Sequence, residues 1–100
     1  MEIENILMKH EDVREAAVIG VPDDVRGLVV KAFIVSDRAG TDSFAQDLKN
    51  FVRTRLSQHE YPRQIAFVAE LPKTPAGKVN RKALRDREAA AREDANVRNW

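Results

Sequence analysis

The chain has 100 residues, of which 43% are hydrophobic and 33% are charged. This composition predicts a single domain over residues 1–100. Because the charged, alanine-rich residues after 87 lack an apolar stripe, we expect the ordered core at about residues 2–87. Cysteine is absent, which excludes disulfides and thiolate nucleophiles, and the two histidines lie far apart in the sequence. We therefore expect no metal site.

Charge and hydropathy also limit the classes of partner. No apolar run approaches the roughly 20 residues of a membrane helix, and the first residues are acidic, so we expect a cytoplasmic protein with no membrane span. The net charge of +1 argues against nucleic acid as a partner. Residues 73–87 nevertheless hold six basic residues and one acid. Such a patch can bind nucleic acid, phosphate groups or only water, and we favour phosphate groups because it contains no aromatic residue to stack bases.

The first predicted element is a short helix. Ile3, Ile6, Leu7 and His10 have the spacing of one apolar helix face. No capping residue precedes this helix, so Met1 looks like an initiator placed on a cut element. We expect the chain to be a piece of a longer protein.

Two buried strands are predicted next. Residues 16–21 form an apolar run, and residues 28–35 form a second run that is rich in β-branched side chains. Their connector contains Pro22 and Gly27 and is short, which favours antiparallel, hairpin-like pairing. Arg26 is predicted at the turn.

An amphipathic helix follows, capped by Thr41, Asp42 or Ser43. Its predicted apolar positions are Phe44, Leu48, Phe51, Val52 and Leu56.

A third strand is predicted at residues 64–68, followed by a helix that Asn80 caps. Residues 88–99 are rich in alanine and charge without an apolar stripe, so we expect this helix to fray. The order of the elements predicts a small α/β domain of the α+β type, in which helices cover a three-stranded mixed sheet.

Residues 71–85 contain the most informative pattern, because a loop with Pro72 and Gly77 delivers Lys78 just ahead of a basic helix. This pattern predicts an active-site lysine on a mobile loop. A nucleotide-binding P-loop is excluded, because it needs glycine where Pro72 stands and serine or threonine where Val79 stands. The alternative is a solvated lysine beside a helix start.

The spacing Pro-x-x-x-x-Gly-Lys from Pro72 resembles the last core motif of the adenylate-forming superfamily. Residues 2–87 resemble the C-terminal lid domain of AMP-forming acyl-CoA synthetases, most closely those of the medium-chain fatty acid and benzoate branch. The landmarks are Glu2-Ile3-Glu4 with Leu7 and His10, residues 15–23 with Arg26-Gly27, residues 31–35, and Tyr61-Pro62-Arg63 ahead of the lysine loop.

This resemblance implies that a carboxylic acid reacts with ATP to give an acyl-adenylate and pyrophosphate. The acyl group then passes to coenzyme A after the lid rotates. Lys78 matches the catalytic lysine, whose ammonium group offsets charge that develops on the α-phosphate. Gly77 allows the backbone to turn beside it. Acetylation of Lys78 by a protein acetyltransferase would remove that cation.

By motif position, Arg26, Arg53 and Tyr61 would bind coenzyme A. The alternatives are a solvated turn charge for Arg26, an ordinary surface arginine for Arg53, and ring packing at a helix end for Tyr61. Lys73 and Arg81 flank the lysine in many relatives, but neither is assigned a catalytic role.

Glu11 and Leu28 depart from the family pattern at positions where a surface would tolerate them. The hinge and the N-terminal adenylation domain, which would bind ATP with magnesium, are absent from this sequence. We therefore expect the isolated chain to be inactive and to bind none of these ligands tightly. The identity of the acid is not set by a lid. The alternative function is a free-standing lid-like module that binds coenzyme A or a separate adenylation subunit.

Overall fold

The computed structural model describes residues 2–56 and 61–98, with side chains to Arg92. Met1 and Asn99, for which the sequence suggested an interpretation, lie outside the described residues. The elements in chain order are α1 (Glu2–Leu7), β1 (Glu15–Asp23), β2 (Gly27–Val35), α2 (Asp42–Arg53), β3 (Gln64–Phe67) and α3 (Arg81–Arg98). This order is the predicted one.

The three strands form a mixed sheet in the order β1-β2-β3. β1 and β2 pair antiparallel from Glu15 opposite Val35 to Asp23 opposite Gly27, which confirms the predicted hairpin. β3 adds to β2 in parallel. The sheet therefore has a turn end, where β1 passes into β2, and an opposite end, where β1 begins and both β2 and β3 finish.

Helices cover both faces of the sheet, as predicted, because alternate strand residues point to opposite sides. One core lies beneath α1 and α2, and a second lies beneath α3. The first contains Ile3, Ile6, Leu7, Val13, Ala16, Val18, Ala32, Ile34, Phe44, Leu48 and Val52. The second contains Ala17, Ile19, Val21, Val29, Phe33, Val35, Leu71 and Leu84.

α2 begins where one of the three predicted capping residues accepts a hydrogen bond. Oγ1 of Thr41 accepts from the backbone N–H of Phe44 at 3.1 Å, which satisfies an amide that the helix itself leaves unpaired. Phe44, Leu48 and Val52 are buried along the helix. The predicted amphipathic face is therefore the one that packs on the sheet.

α3 begins at its predicted cap and is the longest helix in the described residues. Asn80 caps the helix as expected, accepting from the N–H of Ala83 at 3.1 Å. The helical backbone continues past residue 87 to Arg98, and the fraying expected at this end stays a prediction. Nζ of Lys31 lies 2.8 Å from Oε1 of Glu88 and ties this part of α3 to β2. No helix in the described residues is both long enough and apolar enough to cross a membrane.

Candidate functional site at the two ends of the sheet

Residues 73–79, here called the lysine turn, form a closed hydrogen-bonded turn. Lys73 and Val79 are joined by an antiparallel bridge. Within it, the N–H of Thr74 donates to the carbonyl of Lys78 at 2.8 Å, and the N–H of Gly77 donates to the carbonyl of Thr74 at 2.8 Å. These bonds fix the backbone on which the Lys78 side chain stands.

Gly77 is required by its backbone conformation and not by crowding. Its φ is 83°, in the left-handed region that favours glycine. A Cβ added at this position would meet nothing within 4 Å. Glycine is therefore favoured at position 77 because of its φ angle.

The base of the lysine turn is anchored to the opposite end of the sheet. Nζ of Lys73 lies 2.7 Å from Oε1 of Glu15, the first residue of β1. The N–H of Asn80 donates to the carbonyl of Pro72 at 2.8 Å, and Leu71 is buried in the core beneath α3. The turn therefore projects from a fixed base.

Lys78 itself is exposed, and its ammonium group forms no ion pair within the part of the chain that the structure describes. Other bases of the predicted patch are partly neutralised: Lys73 pairs with Glu15, and Lys82 pairs with Asp86 at 2.8 Å. Lys78 thus differs from Lys73 and Lys82, whose charges are paired with carboxylates.

Glu4 is a buried acid whose contacts with α3 and the sheet were not predicted from the sequence. Its side chain is buried, although glutamate is almost never buried unless it is paired. Nε of Arg81 donates to Oε2 of Glu4 at 3.2 Å, Nη2 of Arg81 contacts Oε1, and the N–H of Val18 donates to Oε2 at 3.1 Å. The sequence did offer one signal for this burial, because Glu4 lies beside the apolar face of a short predicted helix.

The turn end of the sheet carries a cluster of Arg26, Arg53, Tyr61 and Arg63, here called the turn-end cluster. The guanidinium carbon of Arg53 lies 5.1 Å from the centroid of the Tyr61 ring, and that of Arg63 lies 4.6 Å from it. Both distances are within the range of cation–π attraction. The ring of Tyr61 is half-buried and packs against the core beneath α1 and α2, so the ring-packing alternative is part of its environment.

Arg26 lies exposed in the turn between β1 and β2. The carboxylate of Asp23 accepts hydrogen bonds from the backbone N–H groups of Arg26 at 2.9 Å and Val25 at 3.1 Å. The bond from Arg26 is the main cause that holds the pKa of Asp23 below its ordinary value of 3.8, and the charges of Arg26 and Arg63 lower that pKa further. Asp23 therefore lies within the electrostatic reach of both arginines.

The structure brings the three predicted coenzyme A residues to one end of the sheet and adds Arg63, which was quoted in the sequence pattern but given no role. The N–H of Arg63 donates to the carbonyl of Val30 at 2.9 Å, which fixes this segment beside the first half of β2. Lys78 does not belong to the turn-end cluster. β2 spans nine residues, so the two ends of the sheet are separated by about 25 Å at about 3.3 Å per residue.

Known proteins share this fold and much of this sequence. Residues 2–78 match the AMP-binding enzyme C-terminal domain family. Over 98 residues the chain is 45% identical to 4-hydroxybutyrate–CoA ligase 1 of Metallosphaera sedula, with 96% of this chain and 17% of that protein covered.

Solved structures give the same result. An acyl-CoA synthetase from Brucella canis superposes with a TM-score of 0.86 at 49% identity, covering 91% of this chain and 17% of that one. A benzoate CoA ligase from Burkholderia xenovorans LB400 superposes with a TM-score of 0.77 at 46% identity, covering 84% of this chain and 17% of that one.

The chain thus spans 17% of the length of each of these three proteins. The resemblance inferred from the lysine loop and its flanking landmarks is confirmed, including the likeness to the benzoate branch. The chain belongs to the AMP-binding enzyme C-terminal domain family, and its relatives are acyl-CoA ligases.

Proposed function

We propose that this chain is the lid domain of an AMP-forming acyl-CoA synthetase. The whole enzyme would convert a fatty or aromatic carboxylic acid, ATP and coenzyme A into acyl-CoA, AMP and pyrophosphate. An N-terminal adenylation domain of the same enzyme would bind ATP with magnesium and would hold the acyl-adenylate. The family match and the 17% coverage of full-length ligases support this division of labour.

The catalytic group in this proposal is the ammonium of Lys78. The observation that carries the proposal is an exposed lysine, with no ion-pair partner among the described side chains, on a turn whose backbone is closed by two hydrogen bonds of 2.8 Å. A positioned cation lowers the barrier of adenylate formation because negative charge develops on the phosphoryl group in the transition state. Lysine suits this task as a compact charge on a flexible stem.

The thioester-forming step would use Arg26, Arg53 and Tyr61. The guanidinium groups would contact phosphates of coenzyme A, since arginine presents several donors to phosphate oxygens. Adenine could stack on Tyr61, whose ring lies near the guanidinium groups of Arg53 and Arg63. Because the lysine turn and the turn-end cluster lie at opposite ends of the sheet, one lid would serve the two steps in two orientations.

Half-reaction kinetics of the full-length enzyme test this function. We expect Lys78→Ala to slow formation of the acyl-adenylate from acid and ATP by about 10²–10³-fold, which is typical for the loss of one transition-state contact. Thioester formation from a supplied acyl-adenylate should change by less than about threefold, because Lys78 is remote from the turn-end cluster.

Lys82→Ala is the matched control, because it removes another exposed lysine of the same basic segment, one that pairs with Asp86. It should leave both half-reactions close to wild type. Equal loss of the two half-reactions in Lys78→Ala, or an equal effect of both substitutions, would contradict the assigned role.

The size and location of the natural product test the larger claim. An antibody raised against this chain should detect, in the cytoplasmic fraction of the source cells, a protein several times heavier than 11.3 kDa. A band at 11.3 kDa would instead support a free-standing module that binds coenzyme A or a separate adenylation subunit.

Lys78 is also our candidate for regulation by acetylation. Its exposure would make the amine accessible to a protein acetyltransferase, and acetylation would remove the charge that the adenylation step uses. Mass spectrometry of the protein after incubation with an acetyltransferase and acetyl-CoA should locate the modification. Loss of adenylation that does not follow the extent of acetylation at Lys78 would refute this role.

A further inference from the structure

We propose that Glu4 is a positioning residue for Lys78, acting through Arg81 to fix the point at which the chain leaves the lysine turn. This inference rests on the proposed function, because it assumes that Lys78 serves the adenylation step. It assigns a role in that step to a carboxylate on α1, the first helix of the chain.

The contacts of Glu4 join three elements. Both of its carboxylate oxygens meet the guanidinium of Arg81, the first residue of α3, and one of them also accepts from the N–H of Val18 on the open edge of β1. A two-contact pair between arginine and a carboxylate fixes orientation as well as distance. The start of α3 is thereby held against both α1 and the sheet.

This anchor lies next to the lysine turn. Arg81 follows Asn80, whose N–H donates to the carbonyl of Pro72 and closes the base of the turn. A shift at the start of α3 would therefore displace the base of the lysine turn, and with it the backbone of Lys78. On the other side of the base, Lys73 is held by Glu15.

Burial makes the Glu4 anchor the more demanding of the two. The Glu4 side chain is 12% exposed, whereas the side chain of Glu15 is 38% exposed. A buried carboxylate needs its partners because it has little access to water. A displacement of about 1 Å in a catalytic group can reduce a rate by about 10²-fold. The loss of this anchor should therefore affect turnover more than substrate binding.

The test uses Glu4→Gln in the full-length enzyme. Glutamine keeps the size of the side chain, but it replaces one acceptor oxygen with an amide that cannot accept from Arg81. We expect kcat for adenylate formation to fall about 10–100-fold with KM values within about threefold of wild type. Thioester formation from a supplied acyl-adenylate should be nearly unchanged.

A double-mutant cycle separates positioning from a general structural effect. If Glu4 acts through Lys78, Glu4→Gln should have little further effect on adenylation in a Lys78→Ala background. An undiminished further loss in that background would overturn the proposal. If Lys78→Ala alone leaves adenylation intact, the proposed function fails; if Lys78→Ala is severe and Glu4→Gln is silent, only this inference fails.

Glu88→Gln is the matched control, because it removes one carboxylate from a half-buried pair between Lys31 and α3 that does not touch the lysine turn. Glu4→Gln should slow adenylation far more than Glu88→Gln, and an equal loss in both would refute positioning. Should Glu4→Gln fail to fold, Arg81→Lys gives a second test, since it keeps the charge and loses the two-contact geometry. A normal adenylation rate in folded Arg81→Lys enzyme would equally overturn the proposal.

Discussion

The backbone N–H of Thr74 donates to the carbonyl oxygen of Lys78 at 2.8 Å. Lys78, the catalytic candidate, therefore also closes the turn through its own backbone. This bond requires the chain to reverse direction between the two residues, and Gly77 provides the reversal with a φ of 83°. The position of Lys78 is therefore linked to the backbone freedom of the residue before it.

Gly77→Ala should destabilise the protein by about 1–2 kcal/mol, because an L-residue with a side chain is strained in the left-handed region. It should also slow adenylation in the full-length enzyme. Gly20→Ala is the matched control: an added Cβ again meets nothing within 4 Å, but Gly20 does not have a positive φ. Chemical denaturation should show a change within about 0.5 kcal/mol for Gly20→Ala. Equal effects of both substitutions would show that φ is not the cause.

Leu48→Ala should lower the free energy of unfolding by about 2–5 kcal/mol, since Leu48 is fully buried between α2 and the sheet and its truncation leaves a cavity. Val25→Ala removes apolar atoms from a side chain that is 87% exposed, and should change this free energy by about 0.5 kcal/mol or less. Urea unfolding of both variants checks the comparison. A cost for Leu48→Ala as small as that for Val25→Ala would contradict the assigned core.

Asp23 should contribute a pH-dependent stability to the turn end. Its pKa in the folded protein is lowered, chiefly by the hydrogen bond from the N–H of Arg26. The ionised carboxylate therefore stabilises the fold above the ordinary pKa of 3.8, and this contribution is lost as the pH falls through the folded pKa. The difference in unfolding free energy between wild type and Asp23→Asn should therefore become smaller as the pH falls through the folded pKa of Asp23. NMR titration of the Asp23 carboxyl carbon checks the cause, and a pKa at or above 3.8 would contradict it.

Local patterns were sufficient to predict the elements. The apolar runs at residues 16–21 and 28–35, with Gly27 in a short connector, specify a hairpin because strand pairing across a tight turn is a local event. Thr41 and Asn80 could be recognised as caps because capping depends on a residue and the next few amides. The contact of Lys31 with Glu88, which ties α3 to β2, could not be predicted in this way, because it joins positions that are distant in the sequence.

The sequence by itself determined the order of helices and strands, the family, and Lys78 as the catalytic candidate, because each depends on residue types at fixed spacing. Only the tertiary structure decided that Lys78 and the turn-end cluster occupy opposite ends of the sheet, since this follows from β3 adding to β2 in parallel. The same holds for Glu4 and Arg81, which are 77 positions apart. A pairing across that separation depends on how α1, β1 and α3 pack, and spacing along the chain does not encode it.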